Sequence, residues 1–240
     1  MVTSPDAPRV ILVTGANRGI GLAAVVELAR RGHTVLLGAR NRERGSAAAA
    51  GIDGDVHPLT IDVTSQDSIV RAAATVADDY GRLDSLVNNA GINAGYENPP
   101  SRTRLEDMRA IFGTDVFGVV AVTTAFVPLL RKSAAPRIVN VSSYRGSLGS
   151  VATWAGSWST AYRTAKSALN SITVHYAREL GMEGFAVTAV SPGHVATDLT
   201  GGNAPLSPAD GARTIVELAT ASSATANGRF LDENGDVVSW

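Results

Sequence analysis

The chain has 240 residues, of which 45% are hydrophobic and 18% charged, with a formal net charge of −1. That length lets a fold bury about 70–75% of the surface its unfolded chain exposes, and the near-zero charge gives no overall pull toward nucleic acid or an anionic membrane. Cysteine is absent, which excludes disulfides, thiolate metal sites and a cysteine nucleophile and agrees with a cytoplasmic location.

The opening MVTSPDAPRV has no charged segment followed by an apolar one, so no signal peptide is expected. RVILVT (9–14) reads as a buried strand. GIGLAAVVELARRG (19–32) follows as a helix with apolar residues at helical spacing and a glycine stop. TVLLGA (34–39) is a second strand and the Ala-rich 43–50 a second helix. VHPLTID (56–62) is a third strand, with Pro58 suited to a sheet edge. A helix over 65–81 opens on Ser65 as its N-cap. LDSLVNNA (83–90) is strand four, and a long helix covers about 104–131. Within it VVAVTTAFVPLL (119–130) is too short to span a bilayer and reads as buried, so no membrane association is expected. RIVNVS (137–142) is strand five, 160–181 a helix, FAVTAVS (185–191) strand six, 207–220 a helix opening on Ser207, and GRFLD (228–232) a short seventh strand.

This alternation predicts one α/β domain over 1–240: a Rossmann-type, doubly wound parallel sheet of about seven strands with helices on both faces. The longest irregular stretches, about 143–159 and 192–206, follow strand carboxyl ends, where such sheets bind ligands, and are the expected substrate loops.

VTGANRGIG (13–21) joins the first strand to the first helix, with Gly15, Gly19 and Gly21 spaced G-x-x-x-G-x-G. Glycines there permit a tight turn and let a pyrophosphate reach the backbone at a helix N-terminus, although a purely structural turn uses them too. An NAD site usually carries an acid at the end of the second strand. Here Ala39 stands there, followed by Arg40, and Arg18 lies in the glycine turn. Two guanidiniums suit a ribose 2′-phosphate, so the expected cofactor is NADP(H). Arg42 and Arg44 read as a solvated helix start. His33, His57, His175 and His194 are scattered without ligand spacing, and no metal site is expected: His33 and His57 read as surface or strand-end residues and His175 as helix packing. The basic residues have no interleaved aromatics to suggest nucleic-acid binding.

TGANRGIG (14–21), DV (62–63), NNAG (88–91), NVSS (140–143), YRTAK (162–166) and SPGHVATD (191–198) occur in one order along the chain. Together they resemble the short-chain dehydrogenase/reductase family, in its single-domain branch and most like carbonyl reductases. The resemblance implies an oxidoreductase that interconverts a ketone or aldehyde and an alcohol. In the first turn it implies cofactor contacts from Gly15, Asn17, Arg18, Gly19 and Ile20. Asp62 would bond the adenine amino group, with Val63 near the ring. Asn89, Ala90 and Gly91 would line the ribose region, and Pro192, Gly193, Val195 and Thr197 would hold the nicotinamide amide.

Tyr162 and Lys166 lie four residues apart on one expected helix face. Reduction of a ketone needs a proton donor as charge grows on its oxygen. A lysine about 5 Å from a phenol favours the phenolate by roughly 3 kcal/mol at a dielectric of about 20, or about two pKa units. The family likeness makes Tyr162 the acid/base, Lys166 its modulator and a ribose ligand, and Ser143 the group that holds the carbonyl. Strand alternation sends Ser142 and Ser143 to opposite faces without saying which meets the cofactor; Ser143 is taken from its family position. Asp115, in TDVFG, occupies a place where the family often has asparagine. Trp154, Trp158 and His194 are candidate substrate contacts, with loop packing as the alternative. Ala161, Ala165 and Ala168 would allow a homodimer or homotetramer through close helix packing, while the long segment before Tyr162 fits a monomer equally. A catalytically idle NADP(H)-binding sensor or scaffold on the same fold is the alternative to an enzyme; the complete Ser143–Tyr162–Lys166 set argues against it.

Overall fold

The computed structural model describes residues 8–93, 98–150 and 158–240. Within them β1 (Val10–Val13), β2 (Thr34–Ala39), β3 (Val56–Thr60), β4 (Ser85–Asn88), β5 (Arg137–Val141), β6 (Ala186–Val190) and β7 (Phe230–Leu231) form one sheet in the order β3-β2-β1-β4-β5-β6-β7. Every pairing is parallel. The helices are α1 (Gly19–Arg30), α2 (Arg42–Ala50), α3 (Gln66–Tyr80), α4 (Leu105–Phe112), α5 (Gly118–Leu130), α6 (Thr160–Gly181) and α7 (Pro208–Thr220).

The wholly apolar β1 shows why both faces are covered. Alternation sends Ile11 and Val13 to one side, against Ala24, Val25 and Leu28 of α1 and Ile215 and Val216 of α7. Val10 and Leu12 go to the other, where Ile69 and Val76 of α3, Phe126 and Leu130 of α5 and Leu180 of α6 complete a second core. Full burial of each such side chain stabilises the fold by about 1.5–3 kcal/mol. Local signals set the ends of the elements. Ser65 accepts from Ser68 N at the start of α3, and Ser207 accepts from Asp210 N while the Asp210 carboxylate accepts from Ser207 N in return. Pro58 sits on the edge strand β3. Val35 N donates to Asp55 O and Ile61 N to Ala39 O, so Pro58 falls in the phase that faces outward and removes no bond to β2.

The long helix differs from expectation. It runs from Leu105 to Leu130, but Gly113–Phe117 form a π-helical turn between α4 and α5. Its 26 residues are long and apolar enough to cross a membrane by length and composition, unlike the shorter stretch 119–130; half of that apolar window is nonetheless buried. Val122, Phe126 and Leu130 pack in the second core. The strand order reverses between β1 and β4, which leaves a crevice beyond their carboxyl ends.

Candidate functional site

A cleft of about 610 Å³ occupies that crevice. One wall is the β1–α1 turn, with Gly15, Asn17, Arg18, Gly19 and Ile20. Gly15 has φ +63°, and a Cβ on it would meet Ala90 Cα at 2.8 Å, so both strain and space exclude a side chain. Thr14 and Asn89 join the turn to the end of β4. Thr14 Oγ1 accepts from Asn89 N and Ala90 N (3.0 and 3.1 Å), and Asn89 Nδ2 donates to Thr14 O at 2.8 Å. No side chain caps the N-terminus of α1, so its first amides point into a space suited to an anion.

Arg40, Asp62 and Val63 line the outer end, and Ala39 is buried beneath them. Asp62 accepts from Thr64 Oγ1 and N (2.7 and 2.9 Å), and these bonds hold its carboxyl below the usual carboxylate range. Arg18 forms an ion pair with Asp198 across the cleft mouth. The backbone cradle, the open helix end and two arginines together fit a dinucleotide with its phosphates.

The inner end is built by β5, α6 and the π turn. A buried polar network ties β4, β5, α5 and α6 together: Asn88 Nδ2 donates to Asn140 Oδ1 (2.9 Å) and Thr123 Oγ1 (3.1 Å), and Asn140 Nδ2 to Thr173 Oγ1 (2.9 Å). Lys166 Nζ donates to Val141 O at 3.0 Å and lies 5.5 Å from the Tyr162 ring centroid. It also lies 3.0 Å from Asp115 Oδ2, with both groups buried. Asp115 Oδ1 accepts from Ile92 N at 2.9 Å. Oδ2 takes no aligned hydrogen bond among the described residues, so its contact with Lys166 is ionic rather than a directed bond. The two serines separate as alternation requires: Ser142 lines the cleft and donates to Asn170 Oδ1, whereas Ser143, expected to hold the carbonyl, is not part of the cleft lining and accepts from Arg145 N at 3.2 Å.

Burial is the largest influence on Tyr162 and raises its pKa, Asp115 adds to the rise, and Lys166, Ser143 and Arg145 oppose it. The net direction is upward, the reverse of what Lys166 alone was expected to produce. Burial opposes the charge on Lys166, but Asp115 and Tyr162 outweigh it and raise its pKa.

Other expected residues are placed as follows. Asn89, Ala90, Gly91, Pro192 and Thr197 line the cleft. Gly193, Val195 and His194 do not; Val195 is buried and bridges to Leu206, so this loop meets the cleft through Pro192, Ala196 and Thr197. Trp158 is 60% exposed and lies off the cleft, and Trp154 lies outside the described residues. Ala161 and Ala165 pack inside the fold with Ile111 and Val116, so they are not a surface for a second copy. His33 immediately precedes β2, a strand end and so one of the two places expected for it, but is buried, its Nδ1 accepting from Arg9 N at 3.3 Å; His175 is exposed, opposite to expectation. Asp198 escaped the sequence reading, since nothing near it in the chain announces Arg18.

The family model for short chain dehydrogenases matches residues 9–205. The chain is 36% identical to short-chain dehydrogenase anuI of Penicillium roqueforti, covering 100% of this chain and 98% of that protein. It is 32% identical to the 3-oxoacyl-[acyl-carrier-protein] reductase FabG of Vibrio harveyi, over 95% and 97%. The solved structure of NADPH-bound carbonyl reductase from chicken fatty liver superposes with a TM-score of 0.89 at 29% identity, over 97% of this chain and 99% of that one. With its parallel sheet, its glycine turn and these matches along its length, the chain belongs to the short-chain dehydrogenase/reductase family of oxidoreductases.

Proposed function

We propose that this protein is an NADP(H)-dependent reductase of ketones or aldehydes in which Tyr162 gives the proton. The observation that carries the reading is the meeting of Tyr162 and Lys166 at the inner end of the same cleft whose outer end holds the glycine turn. A carbonyl oxygen set against the phenol can also accept from the Ser143 hydroxyl. As charge grows on that oxygen, the phenol O–H breaks and the alcohol O–H forms. Lys166, fixed by Val141 O, supplies positive charge beside the phenolate left behind. A nicotinamide held in the cleft would supply the hydride that becomes the new C–H bond, with the carbonyl reduced and the cofactor oxidised. Solvent then returns a proton to Tyr162.

NADP(H) rather than NAD(H) is supported by Arg18 and Arg40 at the outer end and by Ala39 where an acid would favour NAD. The chicken carbonyl reductase binds NADPH, and an NADPH-dependent pterin aldehyde reductase of Arabidopsis thaliana is 34% identical over 80% of this chain.

The test is loss of NADPH absorbance with a panel of ketones and aldehydes, with Tyr162→Phe as control. Turnover should fall by at least ~10²-fold in the variant while NADPH binding, read by fluorescence, persists. NADPH binding without turnover across a broad panel would instead mark a cofactor-binding protein that is not a reductase.

A further inference from the structure

Asp115 is a buried carboxylate that the mechanism above does not use. Three elements hold it in place. The π turn Gly113–Phe117 carries it, Ile92 N binds Oδ1 after β4, and Lys166 of α6 faces Oδ2. Gly91 leaves the necessary room, since a Cβ there would lie 3.1 Å from Asp115 Oδ2. Among the described residues, the groups acting on Tyr162 are Lys166 from α6, Asp115 from the π turn, and Ser143 and Arg145 from the segment after β5. Lys166 and Asp115 carry opposite charges 3.0 Å apart, so the phenol meets a nearly neutral pair instead of a lone ammonium. The two directions of reaction need opposite forms of Tyr162. Reduction begins from the phenol as proton donor; oxidation begins from the phenolate as proton acceptor.

We propose that Asp115 is a positioning residue that offsets the charge of Lys166 and thereby sets the site for carbonyl reduction, rather than alcohol oxidation, near neutral pH. The inference rests on the reductase reading for its consequence, but its physical core, the effect of Asp115 on the ionisation of Tyr162, is measurable without turnover. Removing a neighbouring like charge moves an acid's midpoint by about one pH unit or more. Burial of Tyr162 works in the same direction as Asp115.

The experiment titrates tyrosinate absorbance in the parent protein and in Asp115→Asn, each against its own Tyr162→Phe blank. It pairs that with pH profiles for alcohol oxidation and carbonyl reduction. The expected result is a Tyr162 midpoint lower by about one pH unit in Asp115→Asn. The acid limb of oxidation and the alkaline limb of reduction should both move down with it. Asparagine keeps an acceptor for Ile92 N; if the variant does not fold, Asp115→Ser is titrated in its place. A merely structural Asp115 would lower rates at all pH values and leave the midpoint where it was. An unmoved or raised midpoint overturns the proposal. A lowered midpoint in a protein that turns over no substrate upholds the charge effect and overturns only the reductase reading.

Discussion

Lys166–Asp115 and Arg18–Asp198 stand at opposite ends of one cleft, and they differ mainly in water. Side-chain exposures are 6% and 0% for the first pair and 69% and 73% for the second. The exposed pair exchanges easily with solvent and ions and contributes at most about 1 kcal/mol. On the proposed NADP(H) reading, Arg18 would leave Asp198 for a phosphate at little cost. The buried pair cannot exchange, because either partner alone would be an uncompensated charge in the core. The inner end of the cleft is therefore a fixed charge arrangement and the mouth an adjustable one.

The largest expected effect breaks the buried pair. Lys166→Met should abolish reduction and lower stability by about 3–5 kcal/mol in denaturant unfolding, because it strands Asp115. Adding Asp115→Asn to that variant should recover most of the stability and none of the activity. If the single variant proves as stable as the parent, the pair is not the buried unit described here. At the mouth, Arg18→Ala and Arg40→Ala should each raise the Kd for NADPH about tenfold or more, the loss of one charge-assisted hydrogen bond of roughly 1.5–3 kcal/mol. NADH binding should hardly change, and an equal loss for both cofactors would place these arginines away from the 2′-phosphate. The smallest effect belongs to Asp198→Asn. It should change stability by less than about 1 kcal/mol and tighten NADPH modestly, with both differences fading as salt is added.

What could be read from the sequence was local. The period-2 and helical patterns, the caps Ser65 and Ser207, the edge residue Pro58 and the glycine turn each depend on neighbours a few positions away, and the structure bears them out. What escaped depends on residues far apart. Arg18 meets Asp198 and Asn88 meets Asn140 only after folding. His33 is buried because the Arg9 segment crosses it, a contact no periodicity encodes. The π turn shows the same limit within a single helix, since nothing in GTDVF dictates the wider winding without α6 alongside. Tyr162 is the instructive case. The lysine one turn away was legible, but the burial that outweighs it is a property of the assembled core.

Pro58 has a consequence for the molecule among other molecules. Its missing N–H lies on the outer side of β3, at one margin of the sheet. At the other margin β7 is two residues long, and Leu231 pairs back with Val237 of the same chain. Neither margin offers a long row of free donors and acceptors, so this fold is a poor template for strand-by-strand polymerisation.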